Sequence, residues 1–170
     1  MFILAQIFRV ISSFFGIMAD KASDSKKVLL YNGIYNFFSA LQYFFLFAFS
    51  GAISSIVAIG RNVIFYKFPK KVPIYILIIY FVVIVALNIP AFDGLISFIP
   101  VLLVVMYTTA LYIGNIYGIK YTVLVICVLE SFYDYYCKAY IGIGVCILDF
   151  IIVSVSLYKM KHDKSVLISE

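Results

Sequence analysis

Charge is the scarce ingredient of this sequence. Of its 170 residues 12% are Asp, Glu, Lys or Arg and 65% are hydrophobic, whereas a soluble domain carries about 25% charged and about 45–50% apolar residues. No polar stretch is long enough for a soluble catalytic domain, so nearly all of the chain belongs in a bilayer. Tryptophan is absent, and the single histidine is His162, close to the C-terminus. That excludes a His-based metal cluster and a histidine nucleophile–base pair. There is no glycine-rich phosphate loop either, so no enzyme activity, cofactor or metal is expected. Cys127, Cys137 and Cys146 are odd in number and lie in or near apolar runs, where they read as small buried hydrophobes.

The net charge of +5 comes from basic residues dispersed in short loops and at the ends of apolar runs. That pattern orients membrane helices and does not resemble a nucleic-acid groove. Only Met1 precedes the first apolar run and Arg9 interrupts it. A signal peptide needs a positive leading region and an unbroken apolar core, so this run is expected to stay as a span.

Seven apolar runs are expected to be helices: residues 2–19, 28–48, 52–68, 74–88, 95–112, 121–136 and 141–158. Between them, 20–27 is a charged loop and Phe49-Ser50-Gly51 a tight uncharged turn. Residues 69–73 carry two prolines that stop one helix and start the next. Residues 89–94, 114–120 and 137–140 are further loops, and 159–170 is a polar tail expected to be mobile. The fold class is therefore an all-α integral membrane protein, a single membrane domain over 1–170. It divides into a three-helix bundle (1–68), a linker helix with its loops (69–94), a second three-helix bundle (95–158) and the tail (159–170).

Ten lysines fall on one side of this scheme, at 21, 26, 27, 67, 70, 71, 120, 159, 161 and 164, while the opposite loops hold only Lys138. The positive-inside rule then places the N-terminus outside and the C-terminus in the cytoplasm of a plasma membrane. An offset of about 91–92 residues lays Gly51 near Gly142 and Tyr66-Lys67 on Tyr158-Lys159. With an odd helix between them the two halves share one orientation, a parallel repeat.

A three-plus-one-plus-three arrangement with an outside N-terminus resembles the SWEET sugar transporters, the PnuC vitamin transporters and the KDEL receptor. At the level of sequence the resemblance is to the bacterial inner-membrane YgjV (Imp) family. It is carried by Leu4-Ala5-Gln6, by Phe44-Phe45-Leu46 leading into Ser50-Gly51-Ala52, by Ala58-Ile59-Gly60-Arg61 and by Phe98-Ile99-Pro100. That family is similar to the SWEET and PQ-loop (MtN3-like) proteins, which implies the three-helix-bundle fold and small-molecule transport. Here the paired Pro-Gln motif is missing: Gln6 lacks a preceding proline, and Val101 follows Pro100. The asparagines expected in the third and seventh spans of a sugar transporter are also missing, with Asn62 nearest in the third and Asp149 at a comparable depth in the seventh. Sugar specificity is not carried over.

Five charges fall inside spans: Arg9, Arg61, Glu130, Asp134 and Asp149. Each costs roughly 2.5–3.5 kcal/mol in hydrocarbon on insertion scales, so each is expected to face the bundle interior. Arg61 is expected to pair with Asp149 or Glu130, and Arg9 with Asp134. Asn32 and Asn36 share one face of the second helix, and Tyr35 and Tyr133 point to the same central region. The candidate substrate-binding residues are Asn36, Arg61, Glu130, Asp149, Tyr35 and Tyr133. The leading expectation is a secondary transporter or facilitator of a small polar molecule, its site at the midplane between the bundles. The competing one is a non-transporting receptor or scaffold of the same fold, whose basic cytoplasmic face meets anionic lipid or a partner; the buried charges alone can also be read as structural ion pairs that lock the bundles together. The partners expected are the lipid bilayer and a small polar solute, with no nucleic acid; a homo-oligomer is left open.

Overall fold

The computed structural model describes residues 1–21, 25–68, 72–92 and 94–168. Among them are seven α-helices and no strand: α1 (Phe2–Lys21), α2 (Ser25–Phe45), α3 (Phe49–Lys67), α4 (Ile74–Asn88), α5 (Phe98–Ile113), α6 (Ile116–Tyr136) and α7 (Tyr140–Ile168). Two 3-10 turns, Ile89–Ala91 and Leu95–Ser97, lie between α4 and α5. Helix is the economical answer for so apolar a chain, because it pairs its backbone N–H and C=O groups within each segment.

The helices form a ring. α1 packs on α2 and α2 on α3; α5 packs on α6 and α6 on α7; α3 meets α5, and α1 meets α7. α4 stays outside and lies against α3 and α5, burying only Leu77, Tyr80, Ile84 and Asn88. Its remaining Ile and Val residues are largely exposed, the composition of a lipid-facing surface. Ile84 and Tyr80 meet Val57, Ala58 and Val104 in one apolar cluster, and the Tyr80 hydroxyl donates to the Val57 carbonyl at 3.3 Å. Small residues make close packing possible where lipid removes the hydrophobic drive between helices. α3 buries Gly51, Ala52, Ser54, Ser55 and Ala58.

Five segments are long and apolar enough to cross a membrane: Phe2–Ala19, Phe49–Lys67, Ile74–Ala91, Leu95–Ile113 and Tyr140–Lys161. α2 and α6 are long enough but too polar. Each is packed by helices on both sides, α2 by α1 and α3 and α6 by α5 and α7, and they carry the inward polar residues.

Two turns at one end of the ring are built alike. α2 ends with Phe47 in the left-handed region (φ 59°) and with the Ala48 N–H bonded to the Tyr43 carbonyl at 2.9 Å. α6 ends with Lys138 left-handed (φ 60°) and with the Ala139 N–H bonded to the Asp134 carbonyl at 2.8 Å. Both bonds follow the Schellman pattern for ending a helix. Equivalent residues are 91 positions apart, and one equivalent pair, Tyr43 and Asp134, is joined by a hydrogen bond.

Several boundaries differ from the sequence expectation. The turn between the second and third helices is at 46–48, and Gly51 sits within the first turn of α3. Its missing side chain admits two rings: a Cβ there would lie 2.9 Å from both Tyr43 and Tyr133. Gly142, its equivalent in α7, admits the Asp134 carboxylate in the same way. The loop expected over 114–120 shrinks to two residues. Gly114 caps α5 with a left-handed φ of 71°, and the Asn115 side chain accepts from the Tyr117 N–H, which starts α6 early. The polar stretch from 159 continues α7 to Ile168, since its Lys, Met and Leu residues are good helix formers. Pro100 lies in the first turn of α5, where a missing N–H costs nothing. The expected proline stop at Pro69, with Lys70 and Lys71, lies outside the described residues.

Alanine at Gly51 or Gly142 is expected to cost about 1–3 kcal/mol through overpacking. Alanine at Gly60, which has open space around it, should be neutral or slightly stabilising. Thermal midpoints of the three purified variants check this ordering.

Candidate functional site

The ring helices border a partly open cavity of about 200 Å³. All six ring helices line it: Gly16 from α1; Asn32, Tyr35, Asn36, Ser39 and Tyr43 from α2; Gly51, Ser54, Ser55, Ala58 and Arg61 from α3; Pro100, Leu103, Val104 and Tyr107 from α5; Val123, Ile126, Cys127, Glu130 and Tyr133 from α6; Asp149 and Val153 from α7. The expected residues Asn36, Arg61, Glu130, Asp149, Tyr35 and Tyr133 thus all border one space.

At the end with the two Schellman turns, a buried ionic cluster adjoins the cavity through Glu130. Arg9 is 1% exposed and Asp134 is 0% exposed, so neither charge is answered by solvent. Arg9 Nη2 donates to Glu130 Oε1 at 3.0 Å and lies 3.6 Å from Asp134 Oδ2. The Tyr43 hydroxyl donates to Asp134 Oδ1 at 2.7 Å. Tyr35 accepts from Arg9 Nη1 at 3.4 Å, with the guanidinium 5.9 Å from its ring centroid. The cluster joins α1, α2 and α6, and reaches α7 through Cys146, whose sulfur is 3.9 Å from Arg9 Nη2. Beside it, Tyr133 shares a hydrogen bond of 2.9 Å with Ser50 and accepts the Gly51 N–H at 3.0 Å. Its ring stands edge-on to Tyr43. Gln6 accepts from the Ile141 N–H and donates to the Lys138 carbonyl, which pins the start of α1 to the α6–α7 turn.

Ligand atoms of Glu130, Asp134 and Cys146 lie within 4.8 Å of one another, a spacing that suits a metal ion. The guanidinium of Arg9 contacts all three and takes the position such an ion needs. The trio is an arginine site.

The pairing of Arg9 with Asp134 agrees with the sequence expectation, and Glu130 joins the same arginine. Arg61 does not pair as expected: both ion pairs between described residues belong to Arg9. Arg61 is on α3, which packs against α2, α4 and α5, whereas Glu130 and Asp149 are on α6 and α7 at the other side of the ring. Arg61 turns to its neighbour in sequence, donating through Nε and Nη2 to Asn62 Oδ1 at 3.2 and 3.1 Å. Its Cζ lies 4.7 Å from the centre of the Tyr107 ring, a cation–π distance. Asn36 donates to the Asn32 carbonyl within its own helix at 2.6 Å and still borders the cavity. Sequence reasoning missed Tyr43 and Tyr107. Each is one tyrosine among fifteen, and only the contact with a charged residue distinguishes it.

The opposite end carries the lysines. Lys26, at the start of α2, approaches the Tyr66 ring at the end of α3. Lys120, in α6, donates to Ser156 of α7 at 2.7 Å. Nearby, the Tyr117 hydroxyl reaches the Met160 carbonyl.

Compared with known proteins, the chain matches the family model Imp-YgjV, described as bacterial inner membrane protein, over residues 3–164. No curated protein and no solved structure matches it.

Arg9→Leu leaves Glu130 and Asp134 buried without their cation. A loss of about 3–5 kcal/mol is expected, read as a lower midpoint in denaturant. Adding Asp134→Leu to Arg9→Leu is expected to recover part of it, because one uncompensated carboxylate is then gone.

Proposed function

We propose that this chain, which belongs to the Imp-YgjV family of bacterial inner membrane proteins, is a secondary transporter or facilitator of a small polar molecule and not an enzyme. The observation that carries this reading is a cavity bordered by six helices, its largely apolar walls carrying a few polar and charged side chains, with a buried charge cluster beside it.

In this reading all seven helices span the membrane. α1–α3 and α5–α7 are two three-helix units in the manner of the SWEET transporters, and α4 is the linker. The paired Schellman turns 91 residues apart and the matched glycines support related halves. The lysine-rich end is cytoplasmic and the N-terminus is outside. The solute site lies near the midplane, between the units, and involves Asn36, Arg61, Glu130, Asp149, Tyr35 and Tyr133.

Alternating access then has a definite mechanical content. The halves meet at α3 with α5 and at α1 with α7. Opening the end that holds the cluster means parting Arg9 from Glu130 and Asp134, and Tyr43 from Asp134. Closing the other end brings α2 and α3 toward α6 and α7. Glu130 belongs both to the cluster and to the cavity wall, so a solute that touches it competes with Arg9. Binding is thereby coupled to the opening of the cluster.

Purified protein screened against sugars, nucleosides, vitamins, amino acids and organic anions at pH 5.5 and 7.5 is expected to show thermal stabilisation by one class. A ligand present at a hundred times its Kd adds about 2.7 kcal/mol. Glu130→Gln and Arg61→Ala should abolish the shift, together with flux in proteoliposomes. Normal flux in both variants refutes this site; stabilisation without flux turns the reading toward a receptor. A C-terminal green-fluorescent-protein fusion is expected to fluoresce, as that protein matures in the cytoplasm, and a dark fusion reverses the orientation.

A further inference from the structure

We infer that the solute is a monoanion, one carboxylate on a small and largely apolar body, with the carboxylate received by Arg61. The inference rests on the transport reading above and names the substrate class of that site.

The guanidinium of Arg61 carries the argument. Arg61 borders the cavity and is only 5% exposed. A charge held so far from water needs an answering charge. Arg9, the other buried arginine, has two carboxylates, and both ion pairs among the described residues are its own. Arg61 has neutral neighbours instead. Its Nε and Nη2 both donate to the side-chain oxygen of Asn62, which occupies one edge of the fork. The Tyr107 ring covers a face, with its centre 4.7 Å from Cζ. The remaining edge, formed by Nη1 and the second hydrogen of Nη2, has no acceptor among the described residues. Two N–H groups on one edge of a guanidinium match the two oxygens of a carboxylate. Asn62 adds to the imbalance. Its oxygen is taken by Arg61, while its Nδ2 is buried with no acceptor among the described residues. Donors are in excess here, and an anion is what the spot lacks.

The carboxylates on the cavity wall are engaged within the protein. Glu130 accepts from Arg9 at 3.0 Å, and Asp149 has an interaction of its own. Both stand across the ring from Arg61, on α6 and α7, so they confine an anion's charge to the Arg61 wall. A second negative charge on the solute would face them and find no second cation. Arg61 is the one basic residue among the described residues that line the cavity. A monoanion is thereby favoured over a dicarboxylate or a phosphate dianion.

The body follows from the rest of the wall. Ala58 lies one turn before Arg61 on α3, and Pro100, Leu103 and Val104 line the same space from α5. Polar neighbours place their donors elsewhere: Ser54 on Asn88, Ser55 on the Gly51 carbonyl and Asn36 on the Asn32 carbonyl. Small-molecule sites are mostly apolar, with a few polar groups that fix orientation. In this one Arg61 fixes the orientation and the apolar wall takes the body.

The test uses the purified full-length protein in lipid nanodiscs. Propionate, butyrate and isovalerate are each compared with the amide of the same skeleton, and all three with succinate and inorganic phosphate. Acid and amide of one pair differ in charge and hardly in shape. At least one acid is expected to raise the thermal midpoint at concentrations roughly tenfold or more below its amide, succinate and phosphate, the margin of a charge-assisted over a neutral hydrogen bond. Arg61→Gln should remove the advantage of that acid over its amide, and Arg61→Lys, which keeps the charge without the fork, should retain part of it. The wild-type comparison needs no variant, so a misfolded mutant does not shield the inference. An Arg61 that serves packing alone gives no difference between acid and amide, and that result overturns the inference. So does equal stabilisation by succinate or phosphate, or an acid preference that survives Arg61→Gln. Binding and flux of a neutral solute from the wider screen, with no acid preference, leave the transport reading standing while this inference falls. An acid preference without flux keeps the ligand class and removes transport.

Discussion

The interaction on which the molecule depends is the one between Arg9 and its two carboxylates. In the ring of helices, α3 meets α5 at one seam, and α1 meets α7 at the other. The second seam holds the charges. Arg9 comes from α1, Glu130 and Asp134 from α6, and Tyr43 from α2 holds the second oxygen of Asp134. Buried ions of this kind rarely stabilise more than an apolar replacement, but removing one partner is severe. What they specify is geometry: a guanidinium fork accepts a narrow set of orientations. The glycine at 142 follows from the same constraint, since a methyl group there would overlap the Asp134 carboxylate.

Polarity is distributed accordingly. The outer surfaces of α1, α4 and α7 are a continuous field of Ile, Val, Leu and Phe, while α2 and α6 carry amides, tyrosines and carboxylates inward. The helices least suited to hydrocarbon, α2 and α6, lie between two neighbours each, which shelter them. Polar groups that they cannot show to lipid then line an internal space.

Much of this was legible in the sequence. The long apolar runs fixed the number of helices, and the price of burying Arg9, Arg61, Glu130, Asp134 and Asp149 was enough to direct all five inward. Asn36 was marked by sharing a helical face with Asn32, and Tyr35 and Tyr133 by facing the same central region; all three border the cavity. Helix ends were less legible. Gly51 reads as a turn glycine from sequence, but its role is to admit Tyr43 and Tyr133, and nothing in a linear pattern distinguishes a glycine that bends the chain from one that makes room. Likewise Gly114-Asn115 ends one helix and starts another in two residues, where spacing suggested seven. The partner of Arg61 was the largest miss. Depth along the helices brought it within a turn or two of Asp149, but depth says nothing about which side of a ring each helix takes. Tyr107 was closer, and a ring face leaves no signature in composition.

The Arg9–Glu130 bond has a consequence in time. Its partners are 121 residues apart in the chain, and synthesis at about 5–20 residues per second separates them by roughly 6–24 s. Through that interval the two carboxylates that hold Arg9 in the finished ring have not yet been made, so the contact that ties α1 to α6 is among the last to form.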